Sequence, residues 1–202
     1  MTQRLSTGMG VLDRNLRGGV PTGDLVALVA PPESQSELLL EAVATAGPSL
    51  FLTNSRATEQ AAETFSRDDQ TVRRFDESTI RDGVSELLAE LPVQGYAVFD
   101  AAEPFEQLEP PIHKSTLDKF ISALREKEAV GLIHCLGTQQ DKARRRTLRR
   151  ADQVWTLDLV KGTLAIENRL YITKARGDAA LTEPVKLRLT DQVTIDTSRD
   201  IG

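Results

Sequence analysis

Short apolar segments alternate with helix-like segments through the first two thirds of the chain, and this alternation constrains the fold more than any other feature. The four apolar runs cover residues 25–29, 50–53, 96–99 and 130–135. Runs of this length without polar alternation are typical of strands buried on both faces of a parallel sheet. Helices are expected between them, at about 34–46, 57–65 and 80–91. The order strand, helix, strand predicts βαβ units, and therefore an α/β fold with a mainly parallel sheet.

A further helix is expected from Ser115, whose hydroxyl can cap the first turn. Its apolar stripe is formed by Leu117, Phe120, Ile121 and Leu124, which follow the i, i+3, i+4, i+7 pattern. His134 and Cys135 lie in the apolar run beyond this helix, and we interpret both as core residues.

The last third of the chain changes to a period of two. Apolar residues alternate with more polar ones at Trp155, Leu157, Leu159, Leu164, Ile166, Leu170, Ile172, Val185, Leu187 and Leu189. This pattern predicts antiparallel strands, with Gly162 and Gly177 at the turns. These hairpins are expected to extend one edge of the parallel sheet.

Composition predicts one folded domain over residues 1–202, because 40% of the residues are apolar and 27% are charged. The single Cys135 excludes an internal disulfide, and two histidines do not make a zinc ligand set. The net charge of −5 gives the chain no overall field that attracts nucleic acid or anionic membrane. No apolar run is long enough to span a bilayer or resembles a signal peptide, so the cytosol is the expected compartment.

Two Gly-rich segments near the N-terminus carry a family resemblance. Residues 5–13 read LSTGMGVLD and residues 18–24 read GGVPTGD. Together they resemble the start of the core in the KaiC/RadA/RecA-like P-loop ATPase superfamily, in particular the archaeal KaiC-like type. Residues 151–155 (ADQVW) and 169–177 (RLYITKARG) resemble two later strands of that family. The resemblance extends from about residue 5 to about residue 195 and implies a RecA-like three-layer sandwich, with antiparallel hairpin strands at its C-terminal edge.

The loop after the first core strand departs from the family's phosphate-binding pattern, G-x-x-x-x-G-K-[ST]. The aligned residues are Ala30, Pro31, Pro32, Glu33, Ser34, Gln35, Ser36 and Glu37. An active loop needs glycines that let backbone N–H groups wrap the phosphates, a Lys for the β/γ-phosphates and a hydroxyl for Mg²⁺. All three are missing, which predicts a pseudo-ATPase with a degenerate Walker A motif and no nucleotide cofactor. Binding of phosphate in a non-standard way is the alternative.

Ser34 and Glu37 have the spacing of a capping box. We therefore expect their side chains to satisfy the helix N–H groups that a phosphate would otherwise occupy. Glu37 also places a carboxylate where the Mg²⁺-binding hydroxyl would stand.

Asp100 follows four apolar residues, as in a Walker B strand. We interpret it as a relic that caps or turns the chain. The acidic pair by which KaiC-like proteins polarise the attacking water is also absent, because residues 52–56 read LTNSR. ATP hydrolysis is therefore not expected, with a weak residual ATPase as the alternative.

The resemblance assigns a role in trans to the strand that contains Arg169, Lys174 and Arg176. In the family, the Lys and Arg of this strand point across a subunit boundary to a neighbour's nucleotide. An exposed basic strand edge that opposes aggregation is an equally good interpretation.

A basic segment follows the fourth core strand. It consists of Lys142, Arg144, Arg145, Arg146, Arg149 and Arg150. In RecA-type recombinases this region faces DNA, but no aromatic residue is interleaved here for base stacking. A solvated helix face or a contact for a partner's acidic surface explains the same charges.

These features predict a non-catalytic, regulatory or scaffolding KaiC/RecA-like protein that acts through protein contacts. The partner is either a second copy or another protein, for which an active RecA/KaiC-like paralogue is one candidate. A DNA-binding accessory protein that uses residues 142–150 is the alternative, and no membrane role is expected.

Overall fold

The structure is a computed structural model, and it describes residues 3–65, 67–139, 141–162, 166–178, 180–190 and 193–195. The strands are β1 (Arg4–Leu5), β2 (Val20–Pro21), β3 (Leu25–Ala30), β4 (Ser49–Thr53), β5 (Gln70–Arg74), β6 (Tyr96–Phe99), β7 (Val130–Leu136), β8 (Gln153–Lys161), β9 (Ile166–Ala175), β10 (Val185–Leu189) and β11 (Val193–Ile195). The helices are α1 (Gly10–Asn15), α2 (Glu37–Thr45), α3 (Thr58–Ala62), α4 (Glu77–Asp82), α5 (Val84–Ala89), α6 (Glu103–Glu106), α7 (Pro110–Glu126) and α8 (Lys142–Arg150).

Nine strands form one sheet in the order β11-β10-β9-β8-β3-β7-β6-β4-β5, and β1 pairs with β2 in a separate ribbon. The six strands from β8 to β5 in this order run parallel, whereas β9, β10 and β11 continue the sheet in antiparallel pairs. The predicted α/β fold, with antiparallel hairpin strands at the C-terminal edge, is confirmed.

Strand β3 shows why the molecule has three layers. All six of its residues are buried, because alternate side chains enter opposite layers. Val26 and Leu28 pack in a cluster with Leu40 of α2, whereas Leu25 and Ala27 pack on the other face. The second cluster contains residues of α4, α5, α6 and α7. Helices thus cover both faces of the parallel strands.

The N-terminal motif builds a local structure that leads into β3. The carboxylate of Asp13 accepts hydrogen bonds from the Thr7 amide (2.7 Å), the Thr7 hydroxyl (2.7 Å) and the Ser6 hydroxyl (2.6 Å). Gly19 has a φ of 116°, and a Cβ there would lie 2.0 Å from the carbonyl oxygen of Leu5. Only glycine fits this position, which explains one glycine of the Gly-rich segment.

Two sequence-based descriptions of elements require correction. Helix α7 begins at Pro110 rather than Ser115, because proline is favoured in the first turn, where its missing N–H costs nothing. Ser115 instead donates from its hydroxyl to the carbonyl of Ile112 within this helix. Strand β5 was not predicted, since its residues are polar and partly exposed at the sheet edge. Leu164 lies outside the described residues.

Candidate functional site

The carboxyl ends of β3, β4, β6 and β7 lie side by side, which is where open parallel sheets usually bind ligands. Loop 31–36 follows β3, and the ends of β7 and β6 lie between it and the turn after β4. No residue of loop 31–36 has a positive φ. The amide of Ser34 donates to the carbonyl of Pro31 (3.0 Å), so the loop folds into its own turn.

The predicted capping box between Ser34 and Glu37 is wrong. Helix α2 starts at Glu37 with Ser36 in the N-cap position, and Ser36 makes no side-chain capping bond. The hydroxyl of Ser34 donates to the carbonyl of Pro31 (2.6 Å), because the two prolines turn the chain before the helix begins. Ser34 therefore stabilises the turn and not the helix.

Ser36, which the sequence resemblance aligns with the family's lysine, is fully buried against His134 of β7. Its hydroxyl oxygen lies 2.9 Å from Nε2 of His134, and Nδ1 of the same ring lies 3.2 Å from the carbonyl oxygen of Asp100. A carbonyl only accepts, so Nδ1 carries the proton and Nε2 accepts from Ser36. Burial lowers the pKa of His134, which keeps the ring neutral. His134 is a core residue, as predicted, but its partner Ser36 was not foreseen.

The carboxylate of Asp100 is buried and holds the turn after β4. It accepts from the hydroxyl of Thr53 (2.6 Å), the amide of Asn54 (2.8 Å) and the hydroxyl of Ser55 (2.7 Å). Three donors, one at the end of β4 and two in the turn after it, therefore bind the carboxylate that the sequence resemblance aligns with a Walker B aspartate.

Arg56 lies in the segment after β4 where KaiC-like proteins carry an acidic pair. Its Nη1 lies 2.7 Å from the carboxylate of Glu41, and its guanidinium carbon lies 5.5 Å from the centre of the Phe51 ring. This pair joins α2 to the end of β4. No sequence pattern indicates this pair, because the two residues are brought together only by the packing of α2 on the sheet.

A cleft of about 360 Å³ lies beside loop 31–36. The loop contributes Glu33 and Gln35 to it, and the hairpin strands β8, β9 and β10 form the rest of the wall. Glu167 of β9 also lines this cleft, and it pairs with Arg169 at 2.7 Å. Arg169 is thus bound within its own strand.

Lys174 and Arg176 turn toward the C-terminal end of α8. The ammonium of Lys174 donates to the carbonyls of Leu148 (2.9 Å), Arg149 (3.3 Å) and Ala151. Burial and the neighbouring charge of Arg176 lower the pKa of Lys174. Arg176 donates to the carbonyl of Arg149 at 3.2 Å. Both cations therefore lie at the negative end of the helix dipole, where they satisfy carbonyls that have no partner within the helix.

The basic segment forms α8, and its charges do not share one exposed face. Arg144 is 5% exposed and pairs with Glu106 of α6 at 2.6 Å. Arg146 approaches Nδ1 of His113 at 3.3 Å, and Arg150 pairs with Asp118 at 2.8 Å. Lys142, Arg145 and Arg149 remain exposed. Arg144 must be removed from the predicted patch, because it turns inward to pack between α8 and α6.

The sheet order, its two helical layers and its hairpin edge define a RecA-like α/β protein. The solved structure of the KaiC-like protein PH0186 from the hyperthermophilic archaeon Pyrococcus horikoshii OT3 has this fold, with a TM-score of 0.77 over 97% of this chain and 100% of that chain. The sequences are 13% identical, so the likeness extends to the fold alone.

The chain belongs to DUF7125, a family of unknown function, whose family model matches residues 4–202. No curated protein matches the sequence. In the described part of the chain no helix is long and apolar enough to cross a membrane. The same residues contain no group of three or more His, Cys, Asp or Glu side chains placed to hold a metal ion.

Proposed function

We propose that the chain is a pseudo-ATPase with a degenerate Walker A motif, a KaiC-like protein that regulates or scaffolds other proteins through direct contacts. The observation that carries this proposal is the hydrogen bond between Ser36 and the buried His134. In an active loop, a lysine at the position of Ser36 would contact the phosphates of a nucleotide. Here the side chain at this position forms a hydrogen bond within the protein instead.

The neighbouring groups favour the same conclusion. Loop 31–36 has no positive φ, so its amides do not form the glycine-dependent cradle of an active loop. The carboxylate of Asp100 accepts hydrogen bonds from three donors at the end of β4 and in the turn after it. A nucleotide would meet Glu37 and no compensating lysine, which disfavours a triphosphate on electrostatic grounds.

Protein contacts are favoured over DNA binding because α8 does not present a continuous basic stripe. Arg144 and Arg150 are paired with Glu106 and Asp118, and electrostatic binding to DNA depends on cations free to neutralise phosphates. The proposed partner is a second copy or another protein, with an active RecA/KaiC-like paralogue as one candidate. The proposed compartment is the cytosol, and no cofactor is assigned.

Isothermal titration calorimetry with Mg²⁺–ATP tests the loss of nucleotide binding. We expect no saturable heat at millimolar nucleotide. The matched variant is Asp100→Asn, which alters the Walker B position and leaves loop 31–36 unchanged. Saturable micromolar binding to the wild type would overturn the proposal, whatever the result for Asp100→Asn, since it would reveal a working nucleotide site.

Light scattering after size-exclusion chromatography tests the protein contacts. We expect a defined oligomer of the purified chain, or a stoichiometric complex with a co-purified protein. The same mass in the presence and absence of Mg²⁺–ATP is expected, because assembly in the proposed function needs no nucleotide.

A further inference from the structure

A cleft of about 600 Å³ lies between α7 and α8, where β9 ends. Four arginines line it: Arg125 of α7, Arg149 and Arg150 of α8, and Arg176 just after β9. Two carboxylates, Asp118 and Asp152, also line it. Because these residues are far apart in the sequence, the basic segment 142–150 alone does not reveal the cleft.

Arg125 reaches the cleft by lying across the turn before β3. Gly23 has a φ of 86°, and a Cβ at this position would lie 2.9 Å from Cγ of Arg125. The glycine therefore allows the stem of Arg125 to pack closely against the turn. The side chain of Arg125 as a whole stays exposed.

The positive charge of the cleft is only partly neutralised. Arg150 pairs with Asp118 at 2.8 Å, and Arg176 lies 3.7 Å from Asp152. Asp152 also accepts a hydrogen bond from the amide of Leu25 (3.1 Å), so its carboxylate is shared between this amide and Arg176. Four guanidinium groups against two carboxylates leave two positive charges.

Arg149 carries this excess together with Arg125, whose charge is partly offset by the carboxylate of Asp24. Within the described part of the chain, neither guanidinium has an ion pair or a hydrogen bond to a protein acceptor. Lys174 lies next to Arg176, below the C-terminal end of α8, and adds a further positive charge to the region. An anion in the cleft would relieve the repulsion among these groups.

We propose that this cleft binds an acidic segment of a partner protein, in which carboxylate side chains pair with Arg149, Arg176 and Arg125. Guanidinium groups favour carboxylates because both are planar and can form two parallel hydrogen bonds. The inference rests on the proposed function through protein contacts. It identifies the contact surface as this cleft and the partner as an acidic protein segment.

The carboxylates of the cleft favour an acidic protein segment over nucleic acid. Asp118 and Asp152 stand among the arginines and repel a continuous phosphate backbone. A protein segment can place its carboxylates against the arginines and a neutral or donor side chain against each Asp. The lining also contains Ile121 but no aromatic residue on which a base would stack.

Fluorescence anisotropy with a fluorescein-labelled decapeptide of alternating glutamate and serine tests the cleft. We expect saturable binding at low salt, weakened about tenfold or more in Arg149→Gln/Arg176→Gln, because two charge-assisted contacts are lost. The matched control is Arg73→Gln/Arg81→Gln, which removes two half-exposed arginines outside the cleft, and it is expected to bind as the wild type does. Arg149→Glu, a single exposed position, repeats the test by charge reversal.

A single-stranded oligonucleotide of the same formal charge serves as the competing ligand. We expect it to bind more weakly than the peptide. The inference is overturned by an absence of saturable peptide binding, by equal losses in the cleft and control variants, or by tighter binding of the oligonucleotide. Thermal melts of each variant check folding. A negative peptide result with no ATP heat would leave the pseudo-ATPase proposal standing.

Discussion

The hydroxyl oxygen of Ser36 lies 2.9 Å from Nε2 of His134, and both side chains are buried. This bond joins loop 31–36 to β7 at the carboxyl end of the sheet. Because His134 also binds the carbonyl of Asp100, one neutral imidazole connects the loop after β3 with the end of β6. Removal of Ser36 leaves Nε2 of His134 without a hydrogen bond, whereas Ser36 keeps the hydroxyl of Ser34 at 3.0 Å when His134 is removed.

We expect Ser36→Ala to lower the free energy of unfolding by about 1 to 3 kcal/mol, because Nε2 of His134 loses its donor in an apolar setting. Urea denaturation measures the change. The control is Ser122→Ala on α7, where an exposed hydroxyl donates to the carbonyl of Asp118, and its cost is expected to stay within about 0.5 kcal/mol. Equal effects of the two substitutions would contradict the structural role of Ser36.

A double-mutant cycle separates the pair from its surroundings. In Ser36→Ala/His134→Leu both polar partners are removed together, so the double variant is expected to be less destabilised than the sum of the single variants. Additive effects would show that the two side chains act independently.

Asp100→Ala is expected to cost about 3 kcal/mol or more, because three donors of the β4 turn lose a charged acceptor. Asp158→Ala on the exposed face of β8 is the control, with an expected change near zero. Thermal unfolding of both variants measures the difference. A small loss of stability for Asp100→Ala would contradict the structural role of this carboxylate in the turn after β4.

Arg144→Ala and Arg145→Ala form a matched pair on α8. Arg144 is buried, so its loss leaves the largely buried carboxylate of Glu106 without its counter-charge and with only the hydroxyl of Thr147 (3.1 Å), and is expected to cost about 3 kcal/mol. Arg145 is exposed, and its loss is expected to change stability by less than about 0.5 kcal/mol. Chemical denaturation of both variants tests whether α8 is divided into a structural and a solvent-facing side.

The parallel core was predictable because its strands are buried on both faces. Apolar runs at 25–29 and 96–99 correspond to β3 and β6 to within one residue. An edge strand such as β5 gives no such signal, since Gln70–Arg74 is polar and half-exposed. The missed start of α7 had a signal in Pro110, because proline is common in the first turn of a helix.

The contacts of the candidate site were much less predictable than its position. Residue identities showed that loop 31–36 lacks a lysine and glycines, but the partner of Ser36 is 98 residues away, on β7. Arg144 and Glu106 are likewise 38 residues apart. Whether a charge on a short helix points inward or outward is decided by such long-range packing, which residue type and spacing do not contain.

Lys174→Met tests the contact between β9 and α8. The variant keeps an unbranched apolar stem but leaves the carbonyls of Leu148 and Ala151 without their donor, so we expect a loss of about 1 to 3 kcal/mol. Lys161→Met at the exposed end of β8 is the control. If both variants melt at the same temperature, Lys174 is available for a contact in trans.

Asp24 gives a prediction for pH dependence. Burial is the main cause that raises its pKa from 3.8 to about 6, and the charge of Asp152 acts in the same direction, whereas a hydrogen bond from Gln153 (3.0 Å) opposes it. Between these two pKa values the folded state binds more protons than the unfolded state, so this carboxyl makes stability fall as the pH rises through that window.

Asp24→Asn keeps an oxygen that accepts from Gln153 and removes the charge. At about pH 3, below both pKa values, the side chain is mostly protonated in the folded and the unfolded state, so the substitution is expected to change little. At about pH 8 we expect Asp24→Asn to stabilise the protein by about 1 to 2 kcal/mol, a value reduced from the full shift because the group is partly exposed and screened by solvent. Urea denaturation at the two pH values measures the difference. An equal effect at both, or a destabilised variant at pH 8, would show that the ionised carboxylate is compensated by Arg4 and Arg125.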